Sequence, residues 1–350
     1  MGFVVRFFAI LLILGNIPNV QAQTLKEAVC LMLEFEPELN AAEYDTLSSR
    51  EDQRVARSGL FPRLTLNGSA GVSDRDRTTD GLFETGETLF QRRAGLTLRQ
   101  LLYDGGTTRN QARSSRNAFL AQQHLEKSMI ETRVVDLAEV YLEVLRTRRQ
   151  IELAELNVQN HETMCDMLQE RVRAGGSRSD LALVQGRLGL ATNTLATAKL
   201  GYRLAKGRFE RLTGTLPQDL SYPPIPYVPP TIDEIDLSGN HDYLASVEAL
   251  EAAEFRAKSA DGLNRPRLYL DGGYAVGEDV NGIRGADNEA RALVVASWDI
   301  FSGGYNDALK EREHFQVGKY EELKETADLQ RYYNLDVLWQ EGARRFGGLC

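Results

Sequence analysis

The polar and apolar positions of this chain follow two periods, and the two alternate along its length. From Leu181 the apolar residues run Leu181, Val184, Leu188, Ala191, Leu195, Ala198, Tyr202, Ala205, Phe209 and Leu212. The steps alternate three and four without exception, which is the heptad signature of a coiled coil. Large and small members mix along this seam, so a partner helix can lie close. Upstream, Thr107 to Arg173 contains neither proline nor glycine. Its apolar residues recur at Ile130, Val134, Leu137, Tyr141, Val144, Ile151 and Val158, with a step missed at Arg148 and another at Glu155. The spacing predicts a helix about 100 Å long at 1.5 Å per residue, which needs a partner along its length. Gly175-Gly176 breaks it. Ser177 or Ser179 can accept from the first free amides of the next helix, and Asp180 suits its positive end. The expectation is a long helical hairpin that turns at Arg173 to Asp180.

Outside the helices the period falls to two. Leu64, Leu66, Ala70 and Val72 alternate with polar residues, as do Ala94, Leu96, Leu98 and Leu102. Further on, Leu268, Leu270, Tyr274 and Val276 form one alternating run, and Val294, Ala296, Trp298 and Ile300 form another. Each is a strand of about ten residues with one apolar face, a length and pattern that fit a membrane β-strand. A solvent-facing hairpin pair has the same look. Four strands cannot close a barrel, and open edges are not permitted in lipid. If the strands enter a membrane, several chains share one barrel, and three chains would give twelve strands.

The strand and helix text occurs twice. Pro62-Arg63-Leu64-Thr65-Leu66 returns as Pro266-Arg267-Leu268-Tyr269-Leu270, 204 residues on. Asp104-Gly105-Gly106 returns as Ser302-Gly303-Gly304, 198 residues on, so the second copy has the shorter loop. Ala41 and Ala56 match Ala245 and Ala260. One supersecondary unit used twice points to pseudo-symmetric assembly. At each Gly-Gly site Asp104 or Ser302 can cap the incoming helix, while Gly105, Gly106, Gly303 and Gly304 let a strand bend into it.

Residues 1–22 read as a signal peptide. Arg6 precedes an apolar run from Phe7 to Leu14, and Val20-Gln21-Ala22 suits cleavage. No other stretch is apolar enough for a transmembrane helix. Residues 217–230 hold most of the prolines and form a stiff connector. The expected organisation is a first repeat over 23–216, with strands at about 63–73 and 92–102 and a helical hairpin at 105–213. The connector and a second repeat over 231–350 follow, the latter with strands at about 267–276 and 291–301 and a helix from about 304.

Composition narrows the function. Net charge is −9 and the charges are mixed, with no basic stripe for nucleic acid. The three cysteines, Cys30, Cys165 and Cys350, sit singly and imply no disulfide framework. His124, His161, His241 and His314 are isolated in charged helical text and read as solvated surface groups, not metal ligands. No nucleophile, clustered carboxylate or cofactor motif appears. An enzyme is not expected, nor a cofactor or a metal.

Four segments carry a resemblance to a known family: Thr24-Leu25-Lys26-Glu27-Ala28-Val29, Leu101-Leu102-Tyr103-Asp104-Gly105-Gly106, Trp298-Asp299-Ile300-Phe301-Ser302-Gly303-Gly304, and Arg173-Ala174-Gly175-Gly176-Ser177-Arg178-Ser179-Asp180-Leu181. With their spacing, they resemble the TolC-like outer-membrane efflux family across everything after the signal. The text at Tyr141 to Arg146, Asp180 to Leu190 and Leu212 to Pro217 looks most like channels of type I secretion systems. The resemblance implies an α+β, mostly α protomer. Three such protomers would form a homotrimer, a β-barrel in outer-membrane lipid joined to a long periplasmic coiled-coil α-barrel. It implies docking to a periplasmic adaptor (membrane fusion) protein and an inner-membrane ABC transporter or other pump. Arg173, Gly175, Gly176, Ser177, Asp180 and Leu181 match the tip that would meet the adaptor. Leu96, Leu98, Val294 and Trp298 are the strand residues expected to face lipid. Export of a protein such as an adhesin leads, with small-molecule or multidrug efflux as the alternative. A periplasmic coiled-coil scaffold without a barrel is the reading from another class. By the repeat offset the second hairpin would turn near residue 373 and end near 411, so about 60 residues, with any gate, are expected to be truncated after Cys350.

Overall fold

The computed structural model describes residues 22–74, 77–79, 82–84, 88–224, 235–280 and 284–346. The signal-peptide reading, apart from Ala22, and the second half of the Pro-rich connector lie outside the described residues. The elements are α1 (Leu25–Phe35), α2 (Pro37–Ser58), β1 (Arg63–Ser73), β2 (Arg77–Thr79), β3 (Leu82–Glu84), β4 (Leu89–Tyr103), α3 (Thr107–Arg173), α4 (Arg178–Thr213), α5 (His241–Asp261), β5 (Arg267–Glu278), β6 (Ala286–Ser297) and α6 (Tyr305–Phe346). They fall into two compact units: residues 1–41 with 129–227, and residues 42–128 with 228–350.

The first unit is the helical hairpin and the chain start. All ten heptad positions of α4 are buried or half-buried, and most residues between them are exposed. The two steps missed in α3 are filled by Thr147 and Ala154, which are buried. The Thr147 hydroxyl donates to the Glu143 carbonyl at 2.7 Å, so a polar residue enters the seam without an unmet bond. At the base, Tyr141 and Phe209 are fully buried and pack with Leu137, Val144, Met32 and Ala28. The sequence Thr24-Leu25-Lys26-Glu27 makes a capping box for α1, with Thr24 and Glu27 each accepting the other's backbone N–H. The Tyr141 hydroxyl lies 2.7 Å from the Gln23 carbonyl and 2.6 Å from that of Ser221. It ties the chain start to the segment after α4, where Gln23 and Leu220 form a parallel bridge.

The second unit holds a four-stranded antiparallel sheet in the order β1-β4-β5-β6. The first hairpin runs Arg63↔Arg99 to Ser73↔Leu89, and the second Arg267↔Ser297 to Glu278↔Ala286. β4 joins the two copies, pairing with β5 from Arg92↔Glu278 onward, with a bulge between Leu101 and Tyr103. β2 and β3 form a small separate hairpin that the period-two pattern does not announce. α5 and α6 pack together, and α5 also bonds to the start of α3 through Ser114, whose buried hydroxyl donates to the Ala252 carbonyl at 2.7 Å. Among the described residues no helix is long and apolar enough to cross a membrane.

Candidate functional site

Alternation along each strand sorts the sheet into two faces. The register places Leu66, Leu96, Tyr274 and Ala290 in one row and Leu98 beside Leu64 and Gly272. Val294 lies opposite Leu270 on this same face. Leu64, Leu66, Val72, Leu96 and Val294 are all exposed, so this face is uncovered and mostly apolar, with an Arg92–Glu278 ion pair at one end. Trp298, expected within the last strand, stands one residue past the end of β6, and its indole N–H donates to the Asn264 carbonyl at 3.1 Å.

The opposite face is polar and cross-linked. Arg99 makes a two-point contact with Asp271, Nε to Oδ1 and Nη2 to Oδ2, both at 2.8 Å. Arg93 reaches Glu289 at 2.5 Å, and Asn67 donates to the Thr97 hydroxyl at 3.1 Å. Gly95 and Gly273 leave a hollow of about 310 Å³ here, bordered by Thr97, Glu289 and Arg291. Such a sheet can meet an apolar medium on one side and water on the other.

The two Gly-Gly sites are strand-to-helix junctions. Asp104 accepts the N–H groups of Gly106 at 3.1 Å and Thr108 at 2.7 Å, so it caps α3. Gly105 has φ +73°, and a Cβ there would lie 2.7 Å from the Gly262 carbonyl oxygen and 2.8 Å from Arg265 Cβ. Only glycine fits both the left-handed backbone and the space. Beside it, Thr107 and Ser259 exchange hydroxyl-to-carbonyl bonds at 3.1 and 2.9 Å. At the second site Ser302 accepts the Asn306 N–H at 3.4 Å, and Gly303 and Gly304 have φ +64° and +83°.

The hairpin tip is built by its backbone. The Gly175 N–H bonds to the Val172 carbonyl at 3.0 Å and the Gly176 N–H to that of Arg171 at 2.9 Å. Gly175 is left-handed at φ +96°, which gives the helix-ending pair of bonds that favours glycine. Ser177 stands at the N-cap of α4, but its side chain makes no cap bond. Its hydroxyl pairs with that of Ser179 at 2.7 Å, a local alternative to the expected capping. Asp180 lies in the first turn and Leu181 is half-buried. Arg173 is exposed and pairs with Glu170 at 2.6 Å.

Two histidines that read as isolated are neighbours. His124 Nδ1 lies 3.1 Å from His241 Nδ1, and burial followed by the fields of His241 and Lys127 pushes the His124 pKa down. They are 117 residues apart in the chain, and no spacing rule links them. Among the described residues no cluster of three or more His, Cys, Asp or Glu could hold a metal.

The sequence model described as "Outer membrane efflux protein" matches residues 29–215. The chain is 24% identical to the outer membrane efflux protein BepC of Brucella suis over 89% of its own length and 68% of the relative's. It is also 24% identical to the alkaline protease secretion protein AprF of Pseudomonas aeruginosa, over 94% of the chain and 72% of the relative. Among solved structures, a membrane protein of Pseudomonas aeruginosa superposes with a TM-score of 0.79 at 18% identity, covering 92% of this chain and 78% of that one. The open state of the Neisseria gonorrhoeae MtrE outer membrane channel gives 0.75 at 18% identity, covering 93% and 75%. These neighbours share the fold: long helices joined to a small antiparallel sheet. The family match spans more than half of the chain, so this protein belongs to the outer membrane efflux protein family, whose members are channels of the outer membrane and not enzymes.

Proposed function

We propose that the protein is one subunit of a passive export duct and that it carries proteins by type I secretion. The observation that carries the reading is the four-stranded sheet with one bare apolar face, one ion-paired polar face and an edge strand on either side. In lipid such edges must pair, so the sheet reads as one sector of a barrel shared by three copies. The apolar row, including Leu96, Leu98, Val294 and, beyond the strand end, Trp298, faces lipid. The polar face with Arg93, Arg99, Asp271 and Arg291 lines the water-filled lumen. The junctions at Asp104-Gly105-Gly106 and Ser302-Gly303-Gly304 turn the barrel strands into periplasmic helices.

The hairpin tip is the contact for a periplasmic adaptor that links the duct to an inner-membrane ABC transporter. Arg173, Gly175, Gly176, Ser177, Asp180 and Leu181 form it. Protein cargo is favoured over small molecules by the likeness to a protease secretion protein. Transport needs no chemistry from this chain, because energy enters at the inner membrane and the duct contributes shape and lining charge.

The test is reconstitution. The protein should fractionate with outer membranes, run as a heat-modifiable trimer and conduct in a planar bilayer. Expressed with a type I transporter and adaptor that lack their own outer-membrane component, it should restore secretion of their protein substrate. Soluble behaviour without conductance contradicts the duct. Restored drug resistance without protein secretion contradicts the cargo.

A further inference from the structure

The strand and helix text occurs twice, and three pairs of element starts keep the offsets of the sequence repeat. α2 and α5 begin 204 residues apart, at Pro37 and His241, and so do β1 and β5, at Arg63 and Arg267. α3 and α6 begin 198 apart, at Thr107 and Tyr305. Contacts inside each copy obey the same offsets. Gln100 donates to the Leu60 carbonyl at 3.0 Å in the first copy, and Trp298 donates to the Asn264 carbonyl at 3.1 Å in the second.

Among the described residues one such contact joins the two copies within the chain. The start of α3 meets α5 through Thr107–Ser259, Ser114–Ala252 and Asn117–Glu251, with Asn117 Nδ2 donating to Glu251 at 2.7 Å. Beside it β4 pairs with β5. Moving the first member by 198 and the second by 204 gives the reciprocal set: Tyr305 with Val55, Arg312 with Ser48, and Phe315 with Leu47. The same move turns Gln100↔Leu270 into Trp298 opposite Leu66.

These positions are matched in character. Tyr305 is 67% exposed and Val55 69%, while Phe315 is 76% exposed and Leu47 43%. Trp298 and Leu66 are exposed as well. At three of the moved pairs the partners agree, Tyr305–Val55 and Phe315–Leu47 being apolar on both sides and Arg312–Ser48 polar on both, whereas the in-chain contacts Arg113–Phe255 and Asn110–Lys258 move to Glu311–Glu51 and Ala308–Arg54. The in-chain seam is polar at the equivalent places, so the pairing is not inherited residue by residue from it.

We infer that α6 of one chain packs against α2 of a second copy in this register, with Phe315 on Leu47 and Tyr305 on Val55 of that copy, and Trp298 beside its Leu66. The inference rests on the proposed multi-copy barrel and adds the residue register of its helical seam. The contact is head-to-tail, so repeating it generates a ring if the rotation closes. The seam between chains is apolar where the seam inside a chain is hydrogen-bonded.

The experiment uses the full chain in outer membranes, with Cys30, Cys165 and Cys350 replaced. The double variants Phe315→Cys with Leu47→Cys, and Tyr305→Cys with Val55→Cys, are treated with a short bismaleimide. Both should give covalent dimers and larger species on denaturing gels. Phe315→Cys with Val55→Cys is about 12 Å out of register at 1.5 Å per residue and should stay monomeric. As a second readout, Phe315→Glu should lower the temperature at which the oligomer dissociates, and Phe315→Leu should not. An oligomer by native mass spectrometry that crosslinks at none of these pairs, or equally at all three, overturns the register and leaves the multi-copy reading standing. A monomeric chain in the membrane overturns both.

Discussion

Replacing Gly105 by alanine tests the strand-to-helix junction. At φ +73° an L side chain costs about 1–2 kcal/mol. The new Cβ would also press on the Gly262 carbonyl oxygen at 2.7 Å and on Arg265 at 2.8 Å. The carbonyl is backbone and cannot swing away, so overpacking adds about 1–3 kcal/mol. Gly175 is the internal control: it is left-handed at φ +96°, yet a Cβ there meets no atom within 4 Å. Gly175→Ala carries only the backbone cost. The difference of about 1–3 kcal/mol corresponds to about 5- to 150-fold in local opening. Hydrogen exchange reads it directly. The Thr108 and Asn110 amides, bonded to Asp104 and the Gly106 carbonyl, should lose that much more protection in Gly105→Ala than Gly175 and Gly176 lose in Gly175→Ala. Equal losses in the two variants would refute the packing argument and reduce the junction to an ordinary turn.

Other outcomes follow from the same geometry. Tyr141→Phe keeps the ring on Phe209 but strips the Ser221 carbonyl of its hydroxyl partner, and should cost about 1–3 kcal/mol, read as lost amide protection at Ser221. Arg173→Glu breaks an exposed pair with Glu170, and should leave the helical circular dichroism unchanged while weakening adaptor crosslinking and export. His124 has a depressed pKa in the fold, so the unfolded chain binds more protons. Its contribution is complete above the ordinary histidine value of about 6.5 and is lost as pH falls through the lower folded value. Amide protection at the start of α5, where His241 lies against His124, should therefore fall on acidification, and His124→Gln should flatten the profile.

The helices were legible because heptads and glycine breaks are local. α3 ends at Arg173 as the Gly-Gly break implies, and the α4 seam is buried where its steps fall. Thr147 and Ala154 carry no apolar signal of their own, because one is polar and the other small, although both fill the seam. The missing cap bond of Ser177 was not legible, since the neighbouring Ser179 hydroxyl competes for its side chain. The His124–His241 contact depends on helix packing across the duplicated unit, and sequence spacing carries no trace of it. The strand faces followed from alternation, but the end of β6 did not, because Trp298 keeps the period after the strand pairing has stopped.

The central claim is that one face of the sheet meets lipid and the other meets water. Spin labels placed singly at Leu66, Leu96, Leu98 and Val294, and at Thr65, Thr97, Arg99 and Arg291, test it in reconstituted bilayers. Collision with dissolved oxygen should dominate at the first set and collision with a water-soluble nickel complex at the second, alternating residue by residue from Leu96 to Arg99. Equal access of the nickel complex to both sets would contradict the account.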